Sequence, residues 1–168
     1  MEKEKNLWKG KPDRKLIWKW VVLKGIAWSA ALAIIPFWLF MGFANLGWLL
    51  LLPLAIVFAF ILSFLWSGWL IKTYEYEITD KNVYFKGGIL VKKQSIVPFF
   101  KITNLPNTQG IIDQVLGITT VGIQTAGTGG VALAEITFEG ITNPDEVTEL
   151  LKMQIEKSRK SSVRTGSE

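Results

Sequence analysis

Residues 25–71 read GIAWSAALAIIPFWLFMGFANLGWLLLLPLAIVFAFILSFLWSGWLI, 47 consecutive positions without Asp, Glu, Lys or Arg. As helix, at about 1.5 Å per residue, the run would extend roughly 70 Å, against a hydrocarbon core of about 30 Å. It is too long for one crossing and fits two. The segment Gly42-Phe43-Ala44-Asn45-Leu46-Gly47 is its one polar, glycine-bearing break and reads as a tight turn. The expectation is a transmembrane hairpin, with helices at about 20–43 and 46–71. Pro36 and Pro53 are tolerated there as kinks. Ala31-Leu32-Ala33 mimics a signal-peptide cleavage site, but the apolar run continues straight through it.

The flanks orient this hairpin. The 24 residues before it carry eight basic side chains against three acids, whereas residues 72–168 carry eleven of each. The formal charge of +5 therefore resides in the amino-terminal part. It is a topology signal and gives no reason to expect nucleic-acid binding. Basic residues precede the first span, the turn has none, and Lys72 follows the second. By the positive-inside rule both termini are cytoplasmic, in a multi-pass protein of the cell (inner) membrane. Trp18, Trp20, Trp28, Trp48, Trp66 and Trp69 suit interfacial anchors, and no Trp occurs beyond them.

Within the second span Ala55, Ala59, Ser63 and Ser67 recur at every fourth position, a face on which helix backbones can approach closely. It can serve packing inside the hairpin or association between copies. No ionisable group lies between 25 and 71, and ion pathways usually need one. The hairpin is expected to anchor rather than transport. With no Cys and no His, thiolate chemistry, the usual zinc sites and imidazole bases are excluded. No cofactor, no metal and no enzymatic activity are expected.

Beyond Lys72 the period changes. Tyr74, Tyr76 and Ile78 alternate with Glu75 and Glu77, a period-two strand. Thr79-Asp80-Lys81-Asn82 and Gly87-Gly88 are turns around a second strand at 83–86. Further strands are expected at 89–97 and 100–105, a short helix at 111–116 ending at Gly117, and a strand pair at 118–124 and 131–138. Asn143, Pro144 and Glu146 open a carboxy-terminal helix with an apolar stripe of Val147, Leu150, Leu151 and Ile155. The expected organisation is a basic cytoplasmic arm (1–19), two transmembrane helices (20–71), a cytoplasmic domain (72–157) and a frayed polar tail (158–168).

Seven short pieces in order then carry a resemblance. They are Tyr76-Glu77-Ile78-Thr79-Asp80-Lys81-Asn82-Val83, Gly88-Ile89-Leu90-Val91-Lys92-Lys93, Ile96-Val97-Pro98, Lys101-Ile102-Thr103-Asn104-Leu105, Gln109-Gly110, Leu116-Gly117-Ile118 and Gln124-Thr125-Ala126-Gly127. The chain resembles the bacterial pleckstrin-homology (PH) domain of the YdbS-like, membrane-flanked type. The resemblance covers about 72–140, and the preceding hairpin also suits it. It implies an α+β membrane protein: a two-helix hairpin followed by a PH-like β-barrel or sandwich capped by a helix. Lys101 and Gln114 stand where that family usually has Arg.

Between Asp80 and Asp113 lie Lys81, Lys86, Lys92, Lys93 and Lys101 and no acid. Close behind a membrane span, such a segment is attracted to anionic lipid by about 1 kcal/mol per Lys. Lysines on strands also protect sheet edges. In eukaryotic PH domains the loop after the first strand takes headgroups, and by that analogy Lys81 and Lys86 are near the corresponding region. Gly127-Thr128-Gly129-Gly130 lacks the Gly-Lys-Ser/Thr end of a phosphate loop and reads as a hairpin turn. Asp145, Glu146 and Glu149 are ordinary complements of a helix dipole, and Glu135 and Glu139 form no defensible catalytic pair.

The functional expectation is a membrane-anchored binding or scaffolding module. Its partners are the lipid bilayer, anionic headgroups, and a membrane-protein partner or a second copy. The alternative is a small oligomeric channel or transporter accessory subunit assembled through the Ala55, Ala59, Ser63 and Ser67 face.

Overall fold

The computed structural model describes residues 4–43, 51–125 and 134–165. Two compact units emerge. One comprises residues 14–72; the other joins residues 1–13 to 73–168.

The first unit is a pair of helices, α1 (Lys15–Phe43) and α2 (Leu51–Thr73). Both are long and apolar enough to cross a membrane, through windows at Lys15–Ile34 and Leu51–Thr73. They start and end differently from the expected 20–43 and 46–71. α1 begins five residues earlier because Lys15 and Lys19 are good helix formers and neither Gly nor Pro lies between Lys15 and Trp20. The turn expected at 42–47 falls largely outside the described residues. The helices pack against one another where Trp18 meets Phe64 at 6.0 Å between ring centroids. Gly25 allows a close approach, since a Cβ there would lie 2.7 Å from the Phe60 ring.

The second unit holds two antiparallel sheets and one core. The first sheet has the order β1-β2-β3-β4, with β1 at Asn6–Gly10, β2 at Glu75–Thr79, β3 at Asn82–Gly87 and β4 at Lys93–Pro98. β1 lies in the stretch expected to be only a basic arm. It is antiparallel to β2, with Gly10 opposite Tyr76 and Trp8 opposite Ile78. The helical pair is thus inserted in the chain between two neighbouring strands. Hydropathy could not announce β1, because five residues offer too few alternations to register and their partner is some 70 positions away.

A 3₁₀ turn at Phe99–Lys101 leads to the second sheet. There β7 (Thr119–Thr125) is central, flanked on one side by the short strands β5 (Ile102–Asn104) and β6 (Asn107–Thr108) and on the other by β8 (Ile136–Ile141). Helix α3 (Ile111–Leu116) precedes β7, as expected. Asp113 Oδ2 accepts the Gly110 amide at 3.2 Å at its start, and Gly117 ends it in the left-handed region at φ 64°. Of the strand expected at 131–138, residues 136–138 belong to β8, and residues 126–133, with the Gly127–Gly130 turn, lie outside the described residues.

Inward positions of both sheets supply the core. Tyr76, Ile78, Val83 and Val97 face Ile102, Val121, Ile123, Ile136, Phe138 and Ile141, with Val147 and Leu151 of α4 (Pro144–Thr165) closing one side. Trp8 stacks on Phe138 at 6.2 Å, so β1 contributes to this core. Residues 158–165, expected as a frayed tail, continue α4, and Arg159 donates to the Ile102 carbonyl at 3.4 Å. A polar composition alone cannot distinguish a tail from the outer turns of an anchored helix.

Tyr76 ties the sheets together. Its ring stacks on Phe138 at 4.5 Å. Its hydroxyl donates to the Glu139 carbonyl and accepts from the Glu139 amide, both at 3.0 Å. Burial holds the phenol far above its ordinary pKa of 10.0, with the Glu139 and Tyr74 charges adding to the shift against the partly offsetting backbone hydrogen bond. The group therefore stays neutral and keeps its hydroxyl proton for the bond.

Candidate functional site

The first sheet has two chemically different ends, and strand register assigns the lysines of its strands to them. Glu75 is opposite Lys86, and Gly87 is opposite Lys93. Lys11 follows Gly10, the partner of Tyr76. Lys11, Glu75, Lys86 and Lys93, with the loop that contains Lys92, therefore share one end. This is the end at which the chain leaves for α1 and returns from α2, since Thr73 closes α2 and Glu75 opens β2.

Loop geometry here depends on two glycines. Gly88 has φ 113°, and a side chain on it would collide with the Val91 carbonyl oxygen. A Cβ on Gly87 would lie 2.7 Å from the Tyr74 ring. The Gly88 amide donates to Thr73 Oγ1 at 3.0 Å, which ties the loop to the last residue of α2. Lys9 and Lys11 approach Glu75 at 3.9 and 3.7 Å. Those pairs are exposed, so each contributes at most about 1 kcal/mol, and the end retains an excess of positive charge.

At the opposite end, Thr79, Asp80, Lys81 and Asn82 form the β2–β3 turn. The Glu4 carboxylate gathers it, accepting from Thr79 Oγ1 at 2.9 Å, Asn82 Nδ2 at 2.8 Å and Tyr84 Oη at 2.9 Å. Tyr84 is raised above its ordinary pKa by desolvation and by the bond to Glu4. The Lys5 amide donates to Asp80 Oδ1 at 3.2 Å, and the Asp80 amide returns a bond to the Lys5 carbonyl at 3.1 Å. The Phe99 amide donates to the Lys81 carbonyl at 3.3 Å, which sets Lys101 on the adjoining 3₁₀ turn at this end.

The five lysines singled out by the sequence consequently divide. Lys86, Lys92 and Lys93 come together; Lys81 and Lys101 lie beyond β4, roughly 17 Å away at about 3.3 Å per residue. The headgroup analogy also changes. The loop after the first strand of this fold is the one interrupted by α1 and α2, whereas Lys81 belongs to the turn between the second and third strands. The missed signal was at Gly88-Ile89-Leu90-Val91. Three successive apolar residues there show no alternation, and the observed strand starts only at Lys93.

The other singled-out residues are placed as follows. Ala59, Ser63 and Ser67 are buried within one copy of the chain, and Ala55 is half-buried. The Ser63 and Ser67 hydroxyls make no hydrogen bond among the described residues. Gln114 is exposed, with Nε2 3.5 Å from the Gln109 carbonyl. Glu135 accepts from the Thr125 hydroxyl at 2.6 Å, while Glu139 engages Tyr76 through its backbone. Among the described residues no three His, Cys, Asp or Glu side chains converge as a metal site. A cleft of about 360 Å³ between β5 and α4 is lined by Ile102, Leu105 and Ile155 with Lys152 and Arg159.

A family model described as "Bacterial PH domain" matches residues 21–155, a span that takes in most of α1, all of α2 and most of the β-unit. No curated protein and no solved structure matches the chain.

Proposed function

The chain belongs to the bacterial PH-domain family, and from that premise we propose that it is a membrane-anchored binding module. Its helical pair spans the cell membrane, and its β-unit lies on the cytoplasmic face. The observation that carries this reading is the coincidence of two features at one end of the first sheet. Both chain connections to the apolar helices issue there, and Lys9, Lys11, Lys86, Lys92 and Lys93 cluster there against Glu75 and, one pleat further on, Glu77. Lysines held next to membrane-crossing helices favour an anionic leaflet by about 1 kcal/mol each. The binding role follows from the family: PH domains are generally non-catalytic binding modules. A YdbS-like affiliation agrees with the membrane-flanked arrangement.

The alternative, a channel or accessory subunit assembled through the small-residue face, finds less support. Ala59, Ser63 and Ser67 are already covered within one chain, so that face is not free for a second copy.

The absence of native Cys makes the test direct. Single cysteines at Leu46 and Glu149 are probed with a membrane-impermeant thiol reagent in intact cells and in inverted vesicles. The expected result is a carbonate-resistant protein labelled at position 46 only from outside and at position 149 only from the cytoplasmic side. Extraction by carbonate, or the reverse labelling, would sink the proposal.

A further inference from the structure

The β-unit leaves a few large apolar side chains almost bare, and they are not scattered. Leu90 and Val91 are 83% and 80% exposed, and Ile111 and Val115 are 84% and 82% exposed. Among the described residues of this unit no other large apolar side chain exceeds Phe100 at 65%. Four side chains of this size in water forgo about 1.5–3 kcal/mol of transfer free energy apiece.

Both pairs lie at the same end of the unit. Leu90 and Val91 occupy the β3–β4 loop, whose Gly88 is hydrogen-bonded to Thr73 at the end of α2. Ile111 and Val115 are four apart, on one face of α3. Helix α3 ends just before Thr119, which is opposite Ile141 at the end of β8. The neighbouring Gly140 carbonyl accepts the Asp13 amide at 2.9 Å, two residues before α1 begins. Each apolar pair is thus fixed, through its own sheet, to one of the two places where the chain passes into an apolar helix.

We infer that Leu90–Val91 and Ile111/Val115 are two contact points that insert into the headgroup–acyl boundary of the bilayer, with Lys86, Lys92 and Lys93 taking anionic headgroups beside the first. This deepens the function proposed above and rests on its anchored hairpin. Apolar tips flanked by lysine are the composition that binds interfaces: apolar area supplies depth and cationic side chains supply lipid selectivity. Two contacts on different sheets would also fix the tilt of the β-unit, which one contact alone could not do. The loop is suited to the role because Gly88 and its bond to Thr73 hold it in shape, so little entropy is lost on insertion.

Spin labels on single cysteines in the full chain, reconstituted into phosphatidylcholine vesicles with and without phosphatidylglycerol, test this. The positions are Leu90, Ile111, Phe100 and Leu54, the last in α2. Labels at 90 and 111 should, like the label at 54, collide with oxygen in preference to a water-soluble nickel chelate. The label at Phe100 should show the opposite preference. Insertion at 90 should weaken without phosphatidylglycerol, and should weaken likewise when Lys86, Lys92 and Lys93 are changed to Gln. If 90 and 111 behave like 100 while 54 remains in lipid, the insertion is wrong and the anchor stands. If 54 also behaves like 100, the anchored hairpin itself fails and the insertion falls with it. Shielding of 90 and 111 from both reagents would replace lipid with a protein partner and overturn the inference.

Discussion

The two ends of the first sheet use charge in opposite ways. At the Glu4 end, three side-chain donors converge on one carboxylate and backbone bonds link Lys5 to Asp80. Polar groups there are satisfied by the protein itself. At the Gly88 end the lysines outnumber their acidic neighbours, the apolar loop residues are bare, and the loop is held by a bond to Thr73. An end that satisfies itself contributes to folding. One that leaves charge and apolar area exposed is available to something outside the chain, which under the proposed function is the bilayer. The contrast therefore separates self-satisfied polar groups from exposed charge and apolar area along about six residues of strand.

The largest test concerns the strand common to both ends. A chain beginning at Thr73 lacks β1, and with it Trp8 and Glu4; loss of that partly buried aromatic alone costs about 1.5–3 kcal/mol. Such a fragment should be unfolded or molten by near-ultraviolet circular dichroism. Joining Lys11 to Glu75 through Asn-Gly should restore a cooperative fold, because Gly10 and Tyr76 are already antiparallel partners and a two-residue turn closes such a pair. A second test removes the centre. In that joined chain, Tyr76→Phe deletes both bonds to Glu139 and leaves the stacking, an expected loss of about 1–3 kcal/mol in urea unfolding.

The same residue gives a pH signature. Because its folded pKa is raised above 10.0, the folded state holds the proton that the unfolded state releases. Its stabilising contribution is complete below pH 10.0 and is lost as pH rises further. Stability should fall with a steeper slope above that value in the native sequence than in Tyr76→Phe; equal slopes would contradict the assignment.

Smaller effects then distinguish the ends. Glu4→Ala should cost about 1.5–3 kcal/mol through its charged hydrogen bonds, measured by thermal unfolding, without altering vesicle contact. Leu90→Asp with Val91→Asp should change stability by no more than about 0.5 kcal/mol, since neither side chain is packed. The same pair should reduce protection of the loop from proteolysis on anionic vesicles. Equal behaviour of the two variants in both assays would erase the distinction between the ends.

Much of the scaffold was legible in the residues. The uncharged run, the alternation of Tyr74 to Ile78, the glycine that ends α3 and the proline that opens α4 each act through neighbours a few positions away. Local rules of hydropathy, φ and capping suffice for such features. The Bacterial PH domain family was likewise legible, because short pieces in a fixed order survive without knowledge of their contacts. The five lysines were visible as a cluster in sequence, yet the strand reversal at Gly88 divided them in space.

Sequence by itself determined that two long apolar helices precede a β-rich unit and that the positive charge collects around them. Those properties sum over consecutive residues. Only the tertiary structure decided that the first strand lies ahead of the helices, that Glu4 closes the β2–β3 turn, and that Leu90, Val91, Ile111 and Val115 stay bare at one end. Each of these depends on pairing between residues far apart along the chain. Such pairing is settled by which surfaces bury the most together, and composition along the chain carries no record of that competition.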